Sequence, residues 1–103
     1  MTQTTGFFNN GPYGNVSGEA KVLLTSTKYE LKLMNFSSSN GPDLRVYLSK
    51  EMFPANFIDL GALKATGGNQ VYDIPRMPDL SQYKYALVHC RRFNHLFGWA
   101  LLQ

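Results

Sequence analysis

Turn residues constrain this chain more than any other feature. Clusters of Gly, Pro, Asn and Ser, such as 37–43 and 67–69, cut it into segments that are short for helices. Within the segments the apolar period is two. Tyr29, Leu31, Leu33 and Asn35 alternate with Glu30, Lys32, Met34 and Phe36, and Leu44, Val46 and Leu48 alternate with Arg45, Tyr47 and Ser49. Such alternation marks strands with one face buried. No segment carries an apolar stripe at helical spacing over three turns. The pattern predicts an all-β domain, an antiparallel β-sandwich or flattened barrel of about eight short strands.

The expected strands are 19–26 and 28–37, turning at Ser26-Thr27, then 44–49, 57–63, 70–75, 85–92 and 95–102. Pro75 stops the fifth of these, and Phe93-Asn94 joins the last two. Residues 76–83 are read as holding one helical turn. Residues 1–17, rich in Gly, Asn, Thr and Pro, are read as a flexible N-terminal arm or edge strand. Residues 18–103 form the domain.

Composition narrows the function. A chain of 103 residues fits one domain. The net charge of +3 is small and its cations are scattered, the longest basic run being Arg91-Arg92, which points away from nucleic acid. A single cysteine excludes an internal disulfide, and there is no CxxC or Cys/His cluster for structural zinc. No stretch is long and apolar enough to span a bilayer. Residues Met1 to Asn10 have neither the charged start nor the apolar run of a signal peptide, which read literally means cytoplasm; an N-terminus trimmed of its leader would look the same. A monomer is expected.

Several segments together resemble the electron-transfer DM-thirteen domain family. Gly41-Pro42-Asp43-Leu44-Arg45-Val46-Tyr47-Leu48 is similar to its GPDLxVYL core. Leu31 to Phe36 resembles its LxLxNF strand, which includes Asn35. Gly61 to Lys64 resembles its GxLK, and Gly67 to Pro75 its GxQxYxIP. Val88-His89-Cys90-Arg91-Arg92-Phe93, followed by Phe97-Gly98-Trp99, is similar to its closing cysteine strand. One position departs: His89 stands where members often carry an aromatic. The resemblance implies an exported or surface-attached protein, and a domain that transfers electrons with its cysteine as a free thiol or as ligand to a prosthetic group such as haem. Only Cys90 matches that cysteine. An unknown protein partner is implied with it.

The residues themselves leave alternatives open. A thiol reacts as its thiolate, which cationic neighbours favour; a regular strand would put Arg92 on the face of Cys90, with His89 and Arg91 opposite. Set against this is a buried core cysteine beside Ala86 and Val88. Apolar neighbours, with Phe93 and Phe97 crowding the same end, predict a mostly covered thiol. His89 and His95 are of a type that ligates haem or a metal, but no third ligand stands near and there is no CxxCH, so no cofactor is assigned. Asp43 reads as a turn-fixing residue bonded to its own backbone, and Gly41 as a residue able to take a positive φ. No nucleophile–base pair stands at a recognisable spacing, which argues against an enzyme. Tyr13, Tyr47, Tyr72, Tyr83, Tyr85 and Trp99 offer the alternative, a non-catalytic binding module that recognises a protein or glycan through surface aromatics.

Overall fold

The computed structural model describes residues 1–103. Eight strands follow in order: β1 (Thr2–Asn10), β2 (Val16–Leu24), β3 (Tyr29–Ser38), β4 (Leu44–Ser49), β5 (Ile58–Ala62), β6 (Gln70–Ile74), β7 (Tyr85–Cys90) and β8 (His95–Leu101). They form one sheet in the order β5-β4-β7-β8-β1-β2-β3-β6. Every neighbouring pair is antiparallel. The end strands β5 and β6 return to each other's side, so the sheet curls into a nearly closed barrel. There is no helix. Between 76 and 83, Gln82 N and Tyr83 N both donate to Asp79 O, one helical turn that does not continue.

The N-terminal segment differs from its expected role. Residues 2–10 are neither an arm nor an edge. They form β1, which bonds β2 on one side and β8 on the other. Gly6, Asn9 and Asn10 dilute the apolar pattern that would have marked it as an interior strand.

The alternation in β3 is also interrupted. Leu31 and Leu33 are inside, but Asn35 is exposed and Phe36 takes the next buried place. Asn35 has φ 51° and Gly18, across on β2, has φ 110°. The register of the two strands shifts there. An extra residue in one strand reverses the side-chain parity beyond it, and Gly and Asn are the residues that tolerate the left-handed backbone it needs. Asn69 Oδ1 accepts from Asn35 N at 2.9 Å and so ties the bulge to the 67–69 turn.

One core fills the barrel. Val22, Leu31, Leu33, Val46, Leu48 and Val88 are its fully covered centre, with Cys90 and Phe97 towards one end. Outward faces differ around the sheet. On β2 and β3 they carry Lys21, Glu30 and Lys32. On β4 and β7 the outward Tyr47, Leu87 and His89 are buried as well. Residues 50–57 fold back there: the Ser49 hydroxyl accepts from Glu51 N and Ala55 N and donates to Phe53 O, and Phe57 stacks on Tyr47 with ring centroids 4.2 Å apart.

Candidate functional site

The loops 11–15, 39–43, 63–69 and 91–94 gather at one end of the barrel, and Cys90 lies under them. It is the last residue of β7, paired with Leu44 of β4 and His95 of β8. Its exposure is 1%. Strand β7 lies between β4 and β8 in the sheet, and Cys90 ends a run in which Ala86 to His89 are all buried, so both faces of the strand are covered.

Asp43 and Arg91 close this end. Arg91 N donates to Asp43 O at 2.9 Å, and Arg91 Nε donates to Asp43 Oδ2 at 3.1 Å. Asp43 therefore does not fix its own turn. The local contact belongs to Asn40, whose Oδ1 accepts from Gly41 N at 2.9 Å, while Asp43 clamps the start of β4 to the residue after Cys90. Gly41 does not adopt a positive φ. It is constrained by space, since a Cβ there would stand 3.0 Å from the Phe97 ring and 3.1 Å from Leu44.

The expected aromatic cover over Cys90 is half realised. Phe97 is buried in the core, but Phe93 is 56% exposed. Strand β7 stops at Cys90, so period-two alternation does not extend into the turn that holds Arg91 to Asn94. For the same reason no strand places Arg92 against the sulfur. Gly61 and Gly67 act on the backbone of other strands. Gly61, φ 112°, belongs to the bulge of β5, where its N donates to Asp59 Oδ1, and Gly67 bridges to Ser37. Pro42 lines an open cleft of about 360 Å³ with Asn40, Asp43, Leu63 and Lys64.

The two histidines occupy different settings. His89 is 3% exposed and points outward from β7 under cover. Its Nε2 lies 2.8 Å from Asn94 Oδ1. An amide oxygen only accepts, so Nε2 carries the proton and Nδ1 is left as a buried acceptor without a partner. Its cross-strand neighbour Arg45 likewise has a buried Nε with no partner, although its Nη2 reaches Asp59 at 3.0 Å. Burial holds the His89 pKa below the ordinary imidazole value, with the Asn94 bond opposing. His95 is half-buried and stacks flat on exposed Tyr13, centroids 3.7 Å apart and planes at 3°. Phe93 tilts against the same imidazole at 5.9 Å.

No three His, Cys, Asp or Glu side chains gather as a metal-binding group. Haem does not fit the arrangement: Cys90 lines none of the four clefts and its sulfur is covered, so no coordination position faces open space. The six aromatics that could have formed one surface are dispersed. Tyr47 and Tyr72 are buried, and burial raises the pKa of each phenol. Tyr13 lies at the loop end, and Tyr85 meets Trp99 edge-on across β7 and β8. The sequence pattern did not single out Arg91 or the exposed Phe7.

No helix of the protein is long and apolar enough to cross a membrane. Comparison with curated proteins and with solved structures gave no match. A family model described as Electron transfer DM13 matches residues 8–102, nearly the whole chain, in line with the resemblance carried by the GPDL and cysteine segments. The chain belongs to the Electron transfer DM13 family, and that membership makes it an electron-transfer-related module.

Proposed function

We propose that this domain is a non-enzymatic accessory of an exported or cell-surface protein, exchanging electrons with a partner protein through Cys90. The supporting observation is the position of the thiol. It lies at the extreme end of a central strand, beneath a turn whose first residue, Arg91, is tied to Asp43 by an ion pair and a backbone hydrogen bond. A lone cysteine has no intramolecular partner, so its reversible chemistry is exchange: the Cys90 thiolate attacks a partner's disulfide, a mixed disulfide forms, and one partner sulfur leaves as thiolate. In the closed state the sulfur is out of reach, so exchange requires the Asp43–Arg91 clamp to open.

Reaction with glutathione disulfide tests this, followed by mass. The native protein is expected to react slowly. Asp43→Ala should react several-fold faster while losing about 1 kcal/mol of stability, the size of one exposed charge-assisted contact. A variant that reacts no faster than its own global unfolding would overturn the gated thiol. A second reading, a non-catalytic module that docks a protein, draws support from the exposed Tyr13–His95–Phe93 stack beside a covered cysteine. An Asp43→Ala variant with unchanged reactivity would favour that reading.

A further inference from the structure

The outer face of β1 and β8 carries residues that the Cys90 end does not use. Thr5 and Gln103 exchange backbone hydrogen bonds of 3.1 and 2.8 Å, and the Phe8–Ala100 and Asn9–Trp99 pairs continue the same register. Residues two apart share a face. Thr5, Phe7 and Asn9 thus stand opposite Gln103, Leu101 and Trp99, while Phe8, Ala100 and Leu102 point into the core. These six outward residues line a shallow cleft of about 460 Å³.

Phe7 is 70% exposed, more than any other aromatic side chain of the protein. The Trp99 ring is oriented by Tyr85, edge-on at 6.4 Å and 60°, and its indole N–H has no partner within the protein and is not buried. Asn9 donates to Phe7 O at 3.3 Å, which leaves its side-chain oxygen free. No charged residue lines the cleft. On the same face Glu19 and Lys21 of β2 stand across from Phe7 and Thr5, but they pair with each other at 3.8 Å, so a charged ligand would meet no free counter-ion in the cleft. A purely apolar ligand would strip water from the Thr5, Asn9 and Gln103 groups without replacing it. A molecule with apolar faces and uncharged hydroxyl edges satisfies both parts.

We propose that the Phe7–Trp99 cleft binds a neutral sugar residue of a glycan, its ring face on the aromatic side chains and its hydroxyls on Asn9 and Gln103. The site is separate from Cys90 and does not rest on the redox reading. Trp99 is the only tryptophan, so its emission reports the site directly. The test titrates short neutral oligosaccharides of glucose and of N-acetylglucosamine, with a sulfated oligosaccharide as the charged control. The expected result is saturable change with at least one neutral sugar, about tenfold weaker binding in Phe7→Ala, and unchanged binding in Cys90→Ala. Phe7 is mostly solvent-exposed, so its truncation leaves the fold intact. No saturable change with either neutral series, equal affinity in Phe7→Ala, or preference for the sulfated sugar would each overturn the proposal.

Discussion

The two halves of the barrel bury their strands differently. In β2, β3 and β6 one face is packed and the other is wet: Leu31 and Leu33 point inward, while Glu30 and Lys32 lie on the outward side. In β4 and β7 both faces are covered, and Leu87 is as fully buried on the outside as Val88 is on the inside. A one-faced strand needs alternation to hold its register, because a slip by one residue would expose its core side. A two-faced strand reads instead as a continuous apolar run. The difference matters for the candidate site, since Cys90 ends the two-faced strand.

Truncation on the outward faces sharpens this contrast most. Leu87→Ala should cost about 2–5 kcal/mol, the range for emptying a buried leucine site, whereas Lys32→Ala should stay within about 0.5 kcal/mol. Chemical denaturation of the two variants measures both, and equal losses would mean that the outer layer on β7 contributes no packing. Cys90→Ser should have the next largest effect, about 1–3 kcal/mol, because a hydroxyl replaces sulfur in an apolar setting. A Cys90→Ala variant that is more stable than Cys90→Ser would assign that loss to the unpaired hydroxyl.

The smallest effect concerns acidity. His89 has its pKa lowered by burial in the folded state. Above the ordinary imidazole value of about 6.5 it is neutral in both states and adds no pH dependence. As pH falls below that value the unfolded chain takes up the proton first, so stability declines until the folded His89 also titrates. Burial is the main cause of the lowered pKa, and the neighbouring His95 acts in the same direction. Unfolding curves between about pH 7.5 and pH 5 should show the loss, and His89→Gln should flatten it.

Much of the barrel was legible in the alternation, and the central place of β7 in its apolar run from Ala86 to Val88. Local exceptions were not. Asn35 sits on the wrong parity because a bulge depends on backbone angles at Gly18 and Asn35 together, and no single residue announces it. Phe93 was expected to crowd the thiol from its nearness in the chain, but it stands exposed in the turn between β7 and β8. The covering of the thiol followed from its apolar neighbours Ala86 and Val88. Its clamp did not, because Asp43 and Arg91 are 48 positions apart and only the β4–β7 register brings them together. Phe7 was hidden by its neighbours, since a strand diluted by Gly and Asn gives no sign that it lies between two others.

The near-closure of the sheet has a consequence for how such a domain behaves among copies of itself. Only β5 and β6 remain as edges, and each is five residues long. The first is broken by the Gly61 bulge and carries Asp59; the second carries Asp73 and runs into Pro75. Short, kinked, charged edges are poor templates for another chain's backbone. A tandem array or a crowded surface of these domains would therefore resist fusing into extended sheets, and would stay a set of separate, individually folded beads.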